Sequence, residues 1–413
     1  MSRKLRIALI GGGLAGLAAG IALSRRGFEV RIFDQSNEIK EAGAGITMMP
    51  NAVKILGAFG VGITATQCGF EPEAIVTRDL RSGAELSRLP AKGAAAARFG
   101  ADSLLIHRAD LRGLLLAALP AGVLELGARC TSVRSAARGA VAEFRGGRQE
   151  EADLIVGCDG IHSVVRDDLF GAQPARFTGN MCWRALIPTA ALPPNHVGRN
   201  VTIWMGRRGH VVTYYVRGGE LLNVVAIREA TTWVEESWSI QGQPSDVIAA
   251  YPDAHAELRR VLERVPQCFK WGLFDRDPLA CWTEGRVTLL GDAAHPMLPF
   301  LGQGAAMGFE DAYVLARELA RFDGDVSAAL AAYEWERRPR TARVQLASRA
   351  QGERYHLHSP LARLMRRLGL DRAEQKNVNL LSKDWIYDYD PIVLDPATRQ
   401  CAVKIAAPQV EFA

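Results

Sequence analysis

The chain has 413 residues, of which 48% are hydrophobic and 23% are charged, so we expect a globular protein with room for two domains. Its net charge is +5, but the basic residues form no stripe interleaved with aromatic side chains, which argues against nucleic-acid binding. No apolar run reaches the roughly 18 residues that a membrane-spanning helix requires, so no such helix is predicted.

The seven cysteines are dispersed along the chain and include no Cys-x-x-Cys pair. Such a set is typical of reduced thiols, so we predict no disulfide framework, no metal site and a cytoplasmic location. An apolar run over residues 7–23 follows basic residues, as in a signal peptide. Three consecutive glycines and a change of period within that run instead predict a strand, a turn and a buried helix.

The beginning of the chain carries a dinucleotide-binding fingerprint. A strand is predicted over residues 4–10, a helix over 17–25 and a second strand over 28–33, with a GxGxxG turn after the first strand. The three glycines permit a tight turn, the approach of a pyrophosphate and close packing of helix on strand. The acidic residue after the second strand is suited to bind ribose hydroxyls. We therefore expect cofactor contacts from Gly11, Gly13, Leu14, Ala15, Gly16, Asp34 and Gln35.

Two further predicted strands end next to a carboxylate. One ends in Asp159 and the other is followed by Asp292. Ligands bind at the carboxyl ends of strands in an α/β sheet, and Asp292 is suited to accept hydrogen bonds from a polyol chain. Gly302 and Gly304 bring main-chain N–H groups at a helix N-terminus to a polarised ring edge, where the helix dipole stabilises negative charge. These features favour a flavin dinucleotide over a nicotinamide one.

The ordered motifs of this sequence are Gly11–Gly16, Gly43–Ile46, Arg108 in IHRADL, Asp159-Gly160, Gly291-Asp292 and Pro299–Gly304. With them, residues 5–345 resemble the single-component FAD-dependent aromatic hydroxylases, such as salicylate, 3-hydroxybenzoate, 4-hydroxybenzoate and 6-hydroxynicotinate monooxygenases. The resemblance implies an α/β fold: a Rossmann-like FAD-binding domain, an inserted β-sheet substrate domain and C-terminal helices. The implied FAD-binding domain is discontinuous and comprises residues 1–72, 98–177 and 270–350. Residues 73–97 and 178–269 form the substrate domain, and residues 351–413 form a C-terminal helix and extended tail.

The resemblance also implies roles for single residues. Arg108 and Asp292 contact FAD, and Ala305 and Ala306 offer N–H groups to the flavin ring. The segment from Asp159 to Arg166 serves both FAD and the nicotinamide donor. Further FAD contacts are implied at Gly45, Asp159, Pro299 and Gly304. The implied reaction uses NADH or NADPH to reduce FAD, and dioxygen then forms a flavin hydroperoxide that hydroxylates a phenolic aromatic acid of the salicylate or hydroxybenzoate type.

Three short β-rich runs, residues 201–206, 210–217 and 221–227, are predicted as strands joined by hairpin turns. A period of two places His210 and Tyr214 on one face of the second run. Histidine titrates nearest neutral pH, so we predict that His210, directly or through Tyr214, deprotonates a bound phenol. The competing interpretation is a hydrogen-bonded core histidine over a half-buried tyrosine. The salicylate and hydroxynicotinate hydroxylases look similar here, with a histidine and a tyrosine four residues apart.

Several positions bear on the substrate. Hydroxynicotinate hydroxylases tend to have histidines where this chain has Thr47 and Phe300. This difference weakens a hydroxynicotinate assignment, and a pyridine- or quinolone-ring hydroxylase is kept as the alternative, with a non-catalytic FAD-binding protein after it. Arg184 lies either towards a substrate carboxylate or, as is commoner, at a strand edge in solvent. We expect a small aromatic substrate and dioxygen as partners, and a monomer or homodimer.

Two other segments are expected to be structural. His295 follows GDAA and is predicted to pack beneath the flavin-binding loop. The tail after Val378 is predicted to be extended. It is interpreted as a passive surface segment, with a dimer strap or a pocket edge as alternatives.

Overall fold

The computed structural model describes residues 4–38, 44–231, 240–356 and 383–395. The helices within these ranges are α1 Leu14–Arg25, α2 Pro50–Ala58, α3 Gly62–Cys68, α4 Ala94–Phe99, α5 Arg108–Ala118, α6 Val164–Phe170, α7 Pro244–Ala250, α8 Ala256–Leu262, α9 Gly304–Arg321, α10 Val326–Tyr355 and α11 Asp384–Tyr387. The strands are β1 Arg6–Ile10, β2 Glu29–Asp34, β3 Gly45–Met48, β4 Ala74–Asp79, β5 Glu85–Pro90, β6 Leu104–His107, β7 Leu124–Leu126, β8 Cys130–Ala136, β9 Gly139–Phe144, β10 Gln149–Ala152, β11 Leu154–Gly157, β12 Arg176–Pro188, β13 Val201–Gly206, β14 Gly209–Val216, β15 Leu221–Glu229, β16 Ile240–Gly242, β17 Cys268–Asp275, β18 Thr283–Glu284 and β19 Val287–Leu289.

A six-stranded sheet carries the fingerprint, and in the described ranges its strand order is β18-β19-β11-β1-β2-β7. Its neighbours are parallel except for β18 and β19. Parallel sheets are covered by helices on both faces, so their strands are apolar runs such as LIVG in β11. The turn after β1 and the segments that follow β11 and β19 therefore meet at one carboxyl edge of this sheet. The predicted α/β architecture is confirmed.

An eight-stranded sheet in the order β16-β17-β12-β15-β14-β13-β4-β5 forms the second layer. The predicted hairpins are confirmed, because Gly206 faces Gly209 and Val216 faces Leu221 in antiparallel register. Strand β4 pairs in parallel with β13, which joins segments from both parts of the predicted insertion in one sheet. Strand β17 pairs with β12 as far as Asp275, beyond the boundary predicted at residue 269.

The segment of residues 383–395 is not extended as predicted, since it begins with the short helix α11. Ile386 and Tyr387 in this helix are buried, and the Tyr387 ring packs edge-on against Phe99 at 5.5 Å. Arg340 on α10 donates hydrogen bonds to the main-chain oxygens of Trp385 and Ile386. Burial of these aromatic and aliphatic side chains anchors the segment to the FAD-binding half, so it is not a passive surface segment. The other tail residues lie outside the described ranges.

The two sheets meet through a small apolar core. Leu298 and Phe300 from the loop before α9, together with Tyr355 at the end of α10, pack against Cys182 and Ile227 of the eight-stranded sheet. In the part of the chain that the structure describes, no helix is long and apolar enough to cross a membrane.

Candidate active site

The turn between β1 and α1 has the backbone geometry that the fingerprint requires. Gly11 has φ +111°, and a Cβ on it would lie 2.4 Å from the main-chain oxygen of Cys158. A Cβ on Gly16 would lie 1.9 Å from the main-chain oxygen of Gly11, whereas a Cβ on Gly13 would meet no atom within 4 Å. Gly13 precedes α1 with no side-chain cap, so open space adjoins unpaired N–H groups at a helix N-terminus. This arrangement fits a diphosphate.

The neighbouring predicted contacts differ in what they offer. The two carboxylate oxygens of Asp34 accept hydrogen bonds from the N–H of Gly12 at 2.7 Å and of Ser36 at 2.8 Å, which orients them at the end of β2. Each oxygen retains lone-pair capacity for a ribose hydroxyl. Gln35 is exposed and accepts a hydrogen bond from Arg129.

Leu14 and Ala15 contribute through packing and backbone rather than through polar side chains. Leu14 is buried at the start of α1. The Cβ of Ala15 lies 2.9 Å from the position that a Cβ on Gly291 or on Gly308 would take. Ala15 therefore holds α1, α9 and the end of β19 in close contact.

Arg108 and Asp292 lie in a cleft between the layers. Both residues are exposed to solvent within this cleft, and protein surrounds them on most sides. Burial lowers the pKa of Arg108 and raises that of Asp292, and each is opposed by the charge of the other. A pair of opposite charges that is exposed inside a cleft fits the polyol and diphosphate portion of FAD.

The loop before α9 turns through Pro299–Leu301, and Gly302 then adopts φ +63°. Helix α9 begins at Gly304 with no side-chain cap, so the first N–H groups of the helix lack intrahelical partners. Pro299, Gly304 and Ala305 line the same cavity as Asp292, while the side chain of Ala306 is buried. The loop thus presents a helix N-terminus, with its positive dipole, to the cavity.

Asp159 has a different set of contacts. Its carboxylate accepts hydrogen bonds from the N–H groups of Val164 at 2.8 Å and Val165 at 3.2 Å, and from the Ser163 hydroxyl. Asp159 therefore caps α6, and a direct FAD contact stays a prediction. Arg166 is buried and pairs with Asp167 at 3.1 Å, which is the ordinary ion pair of a helix start.

A cavity of about 320 Å³ lies between the α9 loop and the eight-stranded sheet, and both His210 and Tyr214 line it. The prediction that they share one strand face is therefore consistent with the geometry. They are four residues apart on β14, which separates their Cα atoms by about 13 Å. No hydrogen bond joins the two side chains among the described residues, so the predicted step from His210 through Tyr214 needs a bound ligand between them.

Tyr214 lies at the end of β14 that is next to β3. A Cβ on Gly45 would lie 2.6 Å from the Tyr214 ring, and the N–H of Gly45 donates to the Asn223 side chain at 2.8 Å. Burial raises the pKa of the Tyr214 phenol, while Arg184 and a hydrogen bond with Thr47 oppose that rise. At neutral pH Tyr214 is therefore a protonated hydrogen-bond donor or acceptor. The glycine at position 45 allows β3 and this phenol to approach.

His210 lies at the other end of the cavity. It is 2% exposed, and its Nδ1 lies 2.9 Å from Nε2 of His356. The rings of Tyr355 and Phe300 pack on it with centroids at 4.6 and 5.8 Å. Burial, followed by the neighbouring His356, lowers the pKa of His210 well below its usual value. His210 is therefore neutral at pH 7 and able to accept a proton.

The comparisons with known proteins agree with this geometry. A family model described as an FAD binding domain matches residues 4–348. The chain is 38% identical over 389 residues to a 3-amino-4-hydroxybenzoate 2-monooxygenase of Streptomyces platensis, which covers 94% of this chain and 97% of the relative. The chain belongs to the FAD-dependent aromatic hydroxylases. It is a flavoprotein monooxygenase with FAD as its cofactor.

Two further comparisons describe the breadth of the family around this hydroxylase. A 6-hydroxynicotinate 3-monooxygenase of Bordetella bronchiseptica is 37% identical over 352 residues, covering 84% of this chain and 91% of the relative. A solved salicylate hydroxylase substrate complex matches with a TM-score of 0.81 at 29% identity, covering 100% of both chains. In the ranges that the structure describes, no cluster of His, Cys, Asp and Glu side chains is arranged to hold a metal ion.

Arg184 in this hydroxylase corrects the expectation of a solvent-exposed strand edge. Strand β12 lies between β17 and β15, so Arg184 is in the interior of the sheet and lines the cavity. Its Cζ stands 5.4 Å from the Trp271 ring centroid, and its buried Nε has no hydrogen-bond partner in the described ranges. The apolar neighbours of Arg184 in WRALIP were the sequence signal for this position.

A buried ionic network beneath the loop also escaped the sequence analysis. Arg337 pairs with Asp311 at 2.8 Å and with Glu310 at 2.6 Å, and all three side chains are fully buried. His295 lies 2.5 Å from Asp311, as expected of a structural residue under the loop. Asp311 also accepts a hydrogen bond from the N–H of Gly291. Two consecutive acids in an otherwise apolar helix face, followed by the RRPR run on the next helix, were the available signal.

Proposed function

We propose that this hydroxylase inserts one atom of dioxygen into a phenolic aromatic acid of the salicylate or hydroxybenzoate type, with NADH or NADPH as the electron donor. The observation that carries the proposal is the guanidinium of Arg184, which has no ion-pair partner in the described ranges and lines a mostly apolar cavity. A buried charge without a partner is costly, so a cavity that retains one is suited to an anionic ligand. A ring carboxylate offers the bidentate acceptor that a guanidinium prefers.

The names of the relatives support this substrate class. The Streptomyces platensis relative acts on 3-amino-4-hydroxybenzoate, and the solved neighbour is a salicylate hydroxylase. Both substrates are aromatic rings that carry a hydroxyl and a carboxyl group. Such a ring supplies an anion for Arg184 and a phenol that a neutral His210 deprotonates.

The cofactor roles form part of the same proposal. The turn at Gly11–Gly16 holds the diphosphate, Asp34 binds the ribose, and Arg108 and Asp292 flank the polyol and diphosphate. The N–H groups of residues 304–306 face the flavin ring. FAD, when bound, supplies the electron transfer and oxygen activation, and the protein positions the ring and excludes water.

The cavity residues are in register for these roles. Arg184 pairs with Val225, and Val225 pairs with Val212, which lies between His210 and Tyr214 on β14. Arg184 therefore faces the middle of the line that joins the two predicted catalytic residues. We propose that Arg184 binds the carboxylate, that Tyr214 hydrogen-bonds the substrate and that His210 takes the phenol proton.

The α9 loop contributes the apolar side chains of Leu298, Phe300 and Leu301 to the cavity wall opposite the sheet. Exclusion of water keeps the activated oxygen on the path to the ring rather than to hydrogen peroxide. We therefore propose two roles for the α9 loop, which are contact with the cofactor and exclusion of water from the cavity.

The test is oxidation of NADH and of NADPH by the purified yellow protein, with and without a panel of salicylates and hydroxybenzoates. The proposal expects one acid to accelerate NAD(P)H loss strongly and to appear as a product with one added oxygen. A protein that binds FAD but responds to no member of the panel contradicts the substrate class.

A pyridine-ring hydroxylase of the 6-hydroxynicotinate type is the second candidate. It is favoured by the Bordetella bronchiseptica relative, which is nearly as similar as the hydroxybenzoate relative. Thr47 lies beside Tyr214, and Phe300 packs against His210. Hydroxylases for that substrate tend to have histidines at positions 47 and 300, so this difference argues against the second candidate. Including 6-hydroxynicotinate in the panel separates the two candidates by relative turnover.

A further inference from the structure

A line of titratable side chains runs from the cavity to the surface and consists of His210, His356 and Glu229, with Arg208 at its end; we call it the file. His210 lines the cavity, its Nδ1 lies 2.9 Å from Nε2 of His356, and Nδ1 of His356 lies 3.9 Å from Oε1 of Glu229. Glu229 in turn accepts a hydrogen bond from Arg208 at 2.9 Å, on the hairpin turn between β13 and β14. We propose that His356 is a second proton carrier, which passes the phenol proton from His210 to Glu229 and so to solvent. This inference rests on the proposed function.

The order of burial along the file supports a direction of transfer. His210 is 2% exposed and His356 is 4% exposed. The side chain of Glu229 is 17% exposed and that of Arg208 is 50% exposed. The file therefore begins at a buried histidine in the cavity wall and ends at a partly exposed carboxylate. A proton taken up in the cavity needs such an exit, because the apolar wall that protects the chemistry also excludes water.

The backbone fixes the file in place. Residues 209 and 228 are paired, so the turn that carries Arg208 adjoins the end of β15 that carries Glu229. The N–H of Glu229 donates to the main-chain oxygen of Arg208 at 2.9 Å. The Tyr251 hydroxyl donates to the main-chain oxygens of His210 and Ile227, which holds β14 and β15 together beside the histidine pair.

Proton balance along the file is simple. In the tautomer that the relay requires, Nδ1–H of His210 donates to Nε2 of His356, which leaves Nε2 of His210 to accept the phenol proton. When Nε2 of His210 gains that proton, the Nδ1 proton moves to Nε2 of His356, and the Nδ1 proton of His356 moves to Glu229. A small rotation of the Glu229 side chain closes the remaining gap. One proton enters and one leaves, and no electrons are transferred.

The surroundings of the histidine pair keep His210 neutral before substrate binds. Among the described residues, Glu229 faces His356 from β15, and Tyr355 and Phe300 cover His210 from α10 and the α9 loop. The last turn of α10 also carries the charged residues Glu353 and Arg354. Burial and the proximity of His356 lower the pKa of His210, so the two rings do not both hold an extra proton at neutral pH.

The competing explanation is structural: each buried histidine ring only provides a hydrogen-bond partner for the other. The test therefore measures proton release itself. Oxidised holoenzyme is mixed in a stopped-flow instrument with the acid that the panel identifies. The buffer is weak and contains a pH indicator that reports the released proton. The variant is His356→Gln, whose amide oxygen preserves the hydrogen bond with His210 but does not relay a proton. His196→Gln is the matched control, because His196 bonds the main-chain oxygen of Glu257 away from the cavity.

We expect His356→Gln to slow proton release by roughly tenfold or more, with wild-type substrate affinity, and added imidazole to restore part of the rate. Glu229→Gln is expected to slow it less, because that carboxylate is already in contact with water. If His356→Gln does not fold with FAD, Glu229→Gln and a solvent isotope effect on proton release decide the question. Wild-type release rates in the folded variants overturn the relay. Normal hydroxylation by those variants leaves the proposed function intact. If no acid in the panel accelerates NAD(P)H oxidation by the wild-type protein, it is the proposed function that is contradicted.

Discussion

The cofactor face and the substrate face of this hydroxylase are built by different means. The cofactor face consists of glycines at positions where a side chain would clash, such as Gly11 and Gly16, of unpaired N–H groups at the starts of α1 and α9, and of carboxylates at strand ends. The substrate face consists of side chains from separate strands, such as Arg184 on β12 and His210 on β14. Backbone conformation restricts residue type within a short stretch, whereas a side-chain face depends on which strands become neighbours. The first is therefore readable from local sequence and the second is not.

The largest effect is expected on the cofactor face, for Gly16→Ala. The added methyl group would lie 1.9 Å from the main-chain oxygen of Gly11, so the turn and α1 cannot keep their contact. We expect protein that purifies without flavin absorbance in the visible range. Gly57→Ala in α2 is the control, because its added Cβ meets no atom within 4 Å, and it should retain full FAD content. Full FAD content in Gly16→Ala would contradict the fingerprint geometry.

The next largest effect is expected for Arg184→Met on the substrate face. Loss of the cation in the cavity should lower kcat/KM for the ring acid by roughly 100-fold, while FAD content is kept. The corresponding phenol without a carboxyl group should react equally poorly with both proteins. Arg207→Met on the exposed β13–β14 turn serves as the charge-matched control. An equal loss for the acid and for the phenol would mean that Arg184 does not bind the carboxylate.

A smaller and more diagnostic effect concerns His210→Gln and Tyr214→Phe. We expect His210→Gln to lower kcat by roughly 100-fold and to change its pH profile, and Tyr214→Phe mainly to raise KM. Because both side chains are proposed to contact one bound substrate, the losses in the double variant should be less than additive. Steady-state kinetics of the four proteins measures this coupling. Fully additive losses would mean that the two side chains do not act on the same bound ligand.

The smallest effect on turnover is expected beneath the flavin loop, for Asp311→Asn. Burial alone would raise the pKa of Asp311, but His295 and Arg337 lower it below the usual value. A carboxyl group with a lowered folded-state pKa stabilises the protein above its unfolded pKa, and that stability is lost as pH falls through the folded pKa. We therefore expect a loss of about 3 kcal/mol at neutral pH, which shrinks on acidification below pH of about 4.

Urea unfolding of wild type and Asp311→Asn across that pH range provides the measurement. Glu334→Gln is the control, since Glu334 belongs to an α10 pair with Arg338 that is partly exposed, and such pairs contribute at most about 1 kcal/mol. A difference between wild type and Asp311→Asn that does not change with pH would remove the ionic network as its cause.

Prediction from sequence succeeded where one local pattern determined the outcome. The strands around the fingerprint and the hairpins of residues 201–229 have the predicted type because hydrophobic period and turn residues are local. It failed for Arg184, since interior and edge strands differ only in their neighbours across the sheet. It also failed for the helix at residues 384–387, where contacts with Phe99 and Arg340 from distant segments determine the conformation.

The central claim, that this chain hydroxylates a phenolic aromatic acid, is tested most directly by turnover under isotopically labelled dioxygen. The acid that most accelerates NAD(P)H oxidation is incubated with the protein under labelled dioxygen, and the mass of the product is determined by mass spectrometry. We expect one labelled oxygen atom on the ring for each NAD(P)H consumed. Unlabelled product, or recovery of the NAD(P)H electrons as hydrogen peroxide with every acid tested, would contradict it.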